Sequence, residues 1–124
     1  MTWDELLSYA RANYEHQEPG DGYIFISFPN PDGSYGMASL SRIRHPIGTE
    51  WMEICAPVGN VGEVDVNAAI NAVGSHPCGG LSVAADMVMV RHVVPIASMS
   101  DLEFEVHRTT VTTAARALSA IAQA

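Results

Sequence analysis

Two histidines and a cysteine come nearest, by type and spacing, to a catalytic site in this chain. His76 and Cys78 stand two apart in the loop sequence SHPCGG (75–80), and His92 follows in the apolar stretch MVMVRHVVP (87–95). A cysteine nucleophile needs a histidine within hydrogen-bond reach and a third group that orients that base. The sequence shows no third group. A small enzyme or ligand-binding protein with these three residues around a pocket is therefore our alternative hypothesis, not our leading one.

The sequence gives weaker evidence for a metal site or a phosphate-binding loop. A metal site needs three or four converging ligands, whereas the histidines fall in separate elements or loops: His16, His45, His76, His92 and His107. The short loop sequence GNVG carries Glu63 where a phosphate-binding loop would carry a lysine. Alternation along a strand directs Glu50 and Glu53 to opposite faces. We expect no cofactor, no metal and no enzymatic activity.

Composition narrows the classes of partner. The chain has 124 residues, with 14 acidic side chains against six basic ones and a net charge of −8. All six basic residues are arginines scattered along the sequence, so binding to a phosphate backbone is disfavoured. The start MTWDELLSYA lacks the pattern of a signal peptide, and no apolar run approaches the ~18 residues of a membrane helix. We expect a cytoplasmic protein that binds neither nucleic acid nor membrane.

Three helices are indicated by their caps. Thr2 with Glu5, and Ser100 with Glu103, have the spacing of a capping box, and Asp65 is a good N-cap for VNAAINAVG. Apolar residues recur at helical spacing after each cap. In the middle helix they are Val66, Ala69, Ile70 and Val73; in the last helix they are Phe104, Val111, Ala114, Leu118 and Ile121, with His107 on the same seam.

The last helix also carries an unusual group of threonines: Thr109, Thr110, Thr112 and Thr113. Branching at Cβ makes threonine a poor helix former. We interpret these residues as small side chains that let the helix lie close to a sheet; a phosphorylation target is the alternative.

Five strands are predicted between the helices. YIFISF (23–28) and SYGMASLSRIR (34–44) flank the turn sequence NPDG, and TEWMEICAPV (49–58) follows as a third strand. The stretch 81–96 is too long for one strand, so we expect it to fold back around Ala85 and Asp86 as a hairpin. We read HQEPGDG (16–22) only as the end of the first helix, because proline and glycine interrupt helices.

The predicted architecture is therefore an α+β single domain over residues 1–124. It contains an antiparallel five-stranded sheet and three helices in the order α-β-β-β-α-β-β-α. No internal repeat, low-complexity segment or second domain is visible in the sequence.

This order of elements, with the turns and loops that separate them, resembles the type III secretion chaperone-like fold. Its members include the secretion chaperones and the YbjN-like family of bacterial proteins. The likeness lies in EICAPVG (53–59), the short helix at 65–74, the strand pair at 81–94 and VVPIASMSDLEFEV (93–106). It implies a small acidic protein, commonly dimeric, that binds a disordered segment of a client protein. It supplies no catalytic motif, because the shared features are structural.

The residues themselves also favour a binding surface. Large apolar side chains occupy both parities of the strands, so one sheet face stays uncovered if the first and last helices cover the other. The candidate partner-binding residues are Tyr35, Met37, Trp51, Met89 and Arg91. We expect this face to bind a client protein or peptide, with a homodimer as the working form. The alternative is that loops and the middle helix cover it.

Arg91 and His92 are neighbours in sequence, but alternation directs their side chains to opposite faces of the strand. We expect Arg91 on the open face, extended along it or paired with a carboxylate. We expect His92 at the end of the helix-covered face.

Overall fold

The protein is described by a computed structural model that covers residues 1–44 and 46–122. The elements in chain order are α1 (Trp3–Asn13), β1 (Glu15–Gly20), β2 (Tyr23–Pro29), β3 (Tyr35–Arg44), β4 (Glu50–Asn60), α2 (Val66–Val73), β5 (Gly80–Ala84), β6 (Met87–Pro95) and α3 (Asp101–Ala122). His45, one of the histidines considered as a metal ligand, lies outside the described residues.

The sheet has six strands, so the prediction of five is wrong. The additional strand is β1, with the sequence EHQEPG, which pairs antiparallel with β2 through Glu15–Ser27 and Gln17–Phe25. Its residues are all exposed, so it contributes no core side chain. Strand β1 exists because its backbone completes the hydrogen bonds along β2. The α+β class and the antiparallel pairing are confirmed.

The strands are arranged β1-β2-β3-β4-β6-β5, and every neighbouring pair is antiparallel. Helix α2 connects β4 to the edge strand β5, and β6 then returns between them. This topology places β6 against β4, where Cys55 faces Arg91 and Ile54 faces His92.

Each predicted cap residue accepts a backbone N–H, but the reciprocal capping box is complete only in α1, because Glu103 accepts from the hydroxyl of Ser100 instead of its backbone. The backbone N–H of Glu5 donates to Thr2 Oγ1, and the carboxylate of Glu5 accepts from the backbone of Thr2. Asp65 accepts from the backbone of Ala68, and Ser100 accepts from the backbone of Glu103. Each cap satisfies an N–H that an α-helix leaves without an internal partner.

The start of the chain is tied to the end of β6. The amino group of Met1 donates to the carbonyl oxygen of Ile96 at 2.8 Å, and the backbone N–H of Trp3 donates to Glu50. This hydrogen bond, with the Arg42 guanidinium beside it, lowers the pKa of Glu50. These contacts fix α1 against the sheet.

Two hairpin turns set the strand registers. The β2–β3 turn closes with hydrogen bonds between Asn30 and Ser34, and Gly33 takes a positive φ of 85°. The β5–β6 turn has Ala85 and Asp86 at φ values of 48° and 65°, as a type I′ turn requires. The hairpin predicted around these two residues is confirmed.

The hydrophobic core lies on one face of the sheet, beneath α1, α2 and α3. Its largest fully buried side chains come from both layers: Phe104, Leu6, Ile24, Ile26, Leu40, Met52, Ile54, Ile96 and Leu118. The apolar residues of the predicted α3 seam are buried from Phe104 to Leu118 and His107 among them is half-buried, but Ile121 is exposed, as is Ile70 of α2. Those two seam assignments are wrong, because about half of each side chain remains exposed to solvent.

The threonines of α3 do not all face the sheet. Thr112 is buried and its hydroxyl donates to the carbonyl oxygen of Arg108. Thr109 and Thr113 are exposed and lie on the side of the helix away from its buried seam. The interpretation as small contact residues therefore holds for Thr112 and fails for these two.

Within the described ranges, no helix combines the length and apolar character needed to cross a membrane.

Candidate functional site

The histidine and cysteine residues of the alternative hypothesis do not share a pocket. His76 lines a groove against α3, whereas His92 lines a separate groove with Gly79 and Leu81. Cys78 is half-buried and packs against the core. Among the described residues, no side-chain hydrogen bond joins any two of the three. The structure thus does not assemble them as a nucleophile and its base.

The surroundings of both thiols also disfavour the thiolate form. Burial raises the pKa of the Cys78 thiol, and burial together with the nearby Glu53 carboxylate raises the pKa of Cys55 to about 11. A nucleophilic cysteine needs the opposite shift, since the thiolate is the reactive species. Neither cysteine forms a disulfide.

No cluster of three or more potential metal ligands occurs among the residues that the structure describes. The histidines at positions 16, 76, 92 and 107 lie on different elements, as the sequence indicated. The candidate carboxylates Glu50 and Glu53 also point to opposite faces of β4, where Glu50 meets Arg42 and Glu53 meets Arg91.

One pair of histidines is brought together that sequence patterns did not predict. The rings of His92 on β6 and His107 on α3 lie 5.4 Å apart between centroids and are tilted by 33°. Burial and the neighbouring His107 both lower the pKa of His92. Within the described part of the chain, Nδ1 of His92 is buried without a hydrogen-bond partner. This contact depends on how α3 crosses β6, which single-strand alternation does not reveal.

The loop before β5 covers one side of His92. A Cβ atom at Gly79 would lie 2.7 Å from the carbonyl oxygen of Arg91 and 3.6 Å from Nδ1 of His92. Only glycine permits so close an approach between the loop and β6. His92 therefore lies on the helix-covered side of the sheet, as predicted.

The five candidate partner-binding residues lie on one face of the sheet, opposite the helices. Register relates them across the strands: Met37 faces Ser27, Trp51 faces Ile43 and Pro95, and Met89 faces Pro57 and Ser82. Tyr35 and Arg91 share the same parity on β3 and β6. We call this surface the open face; its other large side chains are Tyr23, Phe25, Ile43, Met87 and Val93.

The open face carries accessible large apolar side chains, with Ser27, Ser39 and Ser41 between them. Tyr35 is 71% exposed and Met37 is 52% exposed, while Trp51, Met89 and Phe25 are half-buried by their strand neighbours. The rings of Tyr23 and Phe25 meet edge to face, with centroids 4.9 Å apart. In the part of the chain that the structure describes, the buried side chains of all three helices belong to the core on the other side of the sheet.

An ion pair stands at the centre of the open face. Nε of Arg91 donates to Oε2 of Glu53 at 2.6 Å, and Sγ of Cys55 lies 3.5 Å from Oε1 of Glu53. The expectation that Arg91 would extend over this face and meet a carboxylate is confirmed. Sequence patterns placed Glu53 and Trp51 on one face but gave no partner for Glu53, because that pairing requires β6 to lie beside β4.

Glu53 and Arg91 are the only charged residues that β2 to β6 direct onto the open face, within the described residues. Their charges balance each other, and Glu15 of β1, which pairs with Ser27, adds one exposed carboxylate at the edge of the face, within a chain whose net charge is −8. The rest of the surface holds the excess of carboxylates. A sheet face with accessible large apolar side chains and few charges, within an acidic surface, is typical of a recognition site.

The two edges of the sheet differ in how they are protected. Edge strand β1 carries charged residues, Pro19 and an irregular register between Gln17 and Gly20, which discourage further pairing. Edge strand β5 has the uncharged sequence GLSVA, and Val83 on it is 60% exposed. The β5 edge is therefore the one open to an added strand, and it borders the open face.

Comparisons with protein-family models, curated proteins and solved structures gave no match. The resemblance to the secretion chaperone-like and YbjN-like families therefore rests on sequence patterns and element order. The six-stranded sheet departs from the five strands that we had expected. Function is argued below from the surface of this chain.

Proposed function

We propose that this protein is a non-enzymatic binding module that holds an apolar segment of a client protein on its open face and works as a homodimer. The observation that carries the proposal is a sheet face with large, partly exposed apolar side chains around one internal ion pair, on the side opposite the helices of the described chain. Burying apolar area is the main favourable term in protein association. Tyr35, Met37, Trp51 and Met89 supply that area.

The charge distribution specifies the client segment further. Its centre must be uncharged, because Glu53 and Arg91 already satisfy each other and a third charge there would lose its water without a partner. Its flanks are basic, because carboxylates dominate the surface around the face and accelerate encounter with cations. An extended conformation suits the β5 edge, where main-chain groups can pair with an added strand.

The two free thiols at Cys55 and Cys78 suit a reducing compartment. We therefore propose the cytoplasm as the place where this binding occurs. The order of elements resembles that of secretion chaperones, and this resemblance supports a role in holding a client protein.

Trp51 offers a direct test, because it lies on the open face while Trp3 is buried in the core. In a Trp3→Phe background, Trp51 is the sole tryptophan. The chain is titrated with two synthetic peptides that share a core of alternating valine and threonine and differ in arginine or glutamate flanks. We expect a saturable blue shift with the arginine-flanked peptide and a binding constant at least about tenfold weaker with the other.

Variants locate the site. Met89→Glu should weaken binding of the arginine-flanked peptide at least about tenfold, because it places an unpaired charge under the apolar core of the ligand. Ile70→Glu is the matched control, since it changes an exposed aliphatic residue on α2, away from the open face. Equal binding by both variants, or no spectral change at any peptide concentration, contradicts the proposal. Loss of the dimer in Met89→Glu assigns the face to a second copy instead.

A further inference from the structure

We infer that the outward side of α3 is a contact between two antiparallel copies of this chain. The inference deepens the homodimer in the proposed function, and it rests on that function only for the biological role of the dimer. The surface consists of Leu102, Val106, Thr109 and Thr113, which we call the outer stripe. These residues follow one another at spacings of 4, 3 and 4, which place them on one side of a helix.

The outer stripe is uncharged and begins with two exposed aliphatic side chains, where a helix on a monomer surface would carry charges. Leu102 is 75% exposed and Val106 is 56% exposed, and Thr109 and Thr113 are exposed beside them. The core seam of the same helix, from Phe104 to Leu118, faces the opposite way and is buried. Helix α3 therefore carries exposed aliphatic side chains on the side opposite its buried seam, and the fold of one copy covers only the seam.

The outer stripe forms one wall of a groove of about 540 Å³, and His76 with Pro77 forms the other. A ridge of side chains from a second helix can enter such a groove. Pro77 adds rigid apolar surface without a backbone donor that the contact would have to satisfy. This shape favours a helix as the occupant.

The order of large and small residues along the stripe points to a second copy of the same helix. Large side chains stand in its first half and threonines in its second half. When an identical helix runs antiparallel, about a twofold axis between His107 and Arg108, Leu102 faces Thr113 of the second copy and Val106 faces Thr109. Each large side chain then meets a small one, as close packing of two helices requires. A parallel arrangement would place large residues on large ones.

The charges agree with the antiparallel direction. Asp101 stands at the start of α3 and Arg116 near its end, and at about 100° per residue both lie on the same flank of the stripe. In the antiparallel pair, Arg116 of the second copy comes within about two residues, or about 3 Å along the axis, of Asp101. Among the described residues Arg116 pairs with Asp32 at 3.3 Å, an exposed ion pair, and such pairs contribute little stability. It can turn toward Asp101 at small cost.

The size of the contact determines how tightly the two copies are expected to bind each other. From Leu102 to Thr113 the stripe is about 16 Å long, and a helix is about 10 Å wide. This places the contact at the small end of specific interfaces, so the dimer should dissociate in the micromolar range or above.

Engineered disulfides test the geometry directly in a background with Cys55→Ala and Cys78→Ala. A mixture of the Leu102→Cys chain and the Thr113→Cys chain should form a cross-linked heterodimer under mild oxidation. Either variant alone should not form a cross-link, because the cysteines of the two copies would lie about 16 Å apart along the axis. Efficient cross-linking by Leu102→Cys alone overturns the antiparallel contact.

Sedimentation of the unmodified chain tests whether the contact forms without a cross-link. We expect a concentration-dependent monomer–dimer equilibrium that Val106→Asp weakens at least about tenfold. Val83→Asp is the matched control: it places the same charge at the exposed β5 edge and should leave the equilibrium unchanged. A monomer at every concentration, or dissociation by Val83→Asp but not by Val106→Asp, overturns the inference. The Trp51 titration reads the open face separately, so failure here is distinguishable from failure of client binding.

Discussion

His92 illustrates how one side chain couples the sheet to a helix. It leaves β6 toward α3 and stacks against His107 at 5.4 Å. Burial, and next the proximity of His107, lower the pKa of His92 from its usual 6.5. Glu105 and Arg108 neighbour His107 on α3, but they are occupied by one another and by Tyr14. No carboxylate of the described chain is paired with either ring.

The consequence is a loss of stability in acid. Because the folded state lowers the pKa of His92, the unfolded chain binds its proton more readily, and the stability that neutral His92 contributes is present above pH 6.5. That contribution is lost as the pH falls through the folded pKa. In urea unfolding at about pH 7.5 and about pH 5, His92→Gln should therefore show a smaller acid loss than the natural chain.

Two further variants separate the causes of that shift. His107→Gln should reduce the acid loss only in part, since burial of His92 remains when the neighbouring charge is removed. His16→Gln changes an exposed histidine on β1 and should leave the pH dependence as in the natural chain. An acid loss that is identical in all four proteins would exclude His92 as its source.

Gly79 is a second position where one residue decides a contact. An added Cβ would stand 2.7 Å from the carbonyl oxygen of Arg91, which is backbone and has little freedom to move away. We expect Gly79→Ala to lower the free energy of unfolding by about 1–3 kcal/mol, as measured by urea denaturation. Gly62→Ala is the control, because nothing lies within 4 Å of a Cβ there. A stability for Gly79→Ala equal to that of Gly62→Ala would show that the loop moves freely.

Among the elements, the β5–β6 hairpin has the least suitable turn residues. Ala85 and Asp86 both adopt positive φ, which costs a residue with a side chain about 1 kcal/mol or more. Asparagine followed by glycine suits a type I′ turn best. The double variant Ala85→Asn, Asp86→Gly should raise the free energy of unfolding by about 1 kcal/mol. Asp86→Ala alone removes the charge but keeps the strain, so it should give no such gain.

Strand β1 shows where sequence patterns stop being informative about elements. β2, β3, β4 and β6 were predicted because their alternating apolar residues face a core. EHQEPG has no apolar residue to alternate, and its Pro19 and Gly20 are typical of a turn. What makes it a strand is the unpaired backbone edge of β2, which only the assembled sheet supplies. Ile70 shows a related limit. Its spacing correctly predicts a helix, but it does not reveal that this side of α2 is exposed to solvent.

The open face was more predictable than its central contacts. Alternation within β3 and β4 was enough to place Met37 and Trp51 on faces of known parity, and antiparallel register then brought them together. The Glu53–Arg91 pair and the His92–His107 stack both required β6 to lie between β4 and β5. That order follows from the crossover through α2, which no local pattern encodes.

At the scale of the whole molecule, the two proposed contact surfaces lie on opposite sides. The open face is one side of the sheet, and α3 covers the other, with its outer stripe directed away from the sheet. A dimer that forms through α3 therefore leaves both open faces exposed and pointing outward. Client binding and dimerisation then bury no common residue, so they should be thermodynamically independent.

This independence is measurable with variants of each surface. Val106→Asp, which weakens the dimer, should bind the arginine-flanked peptide with an unchanged dissociation constant in the Trp51 assay. Conversely, saturating peptide should leave the sedimentation equilibrium of the natural chain unshifted, and the dimer should bind two peptides. A peptide affinity that falls together with dimer stability would mean that the client contacts both copies, because linkage requires each ligand to affect the other equally. The surfaces would then meet at a shared edge, and β5, which borders the open face on one side and α2 on the other, is the element through which they would do so.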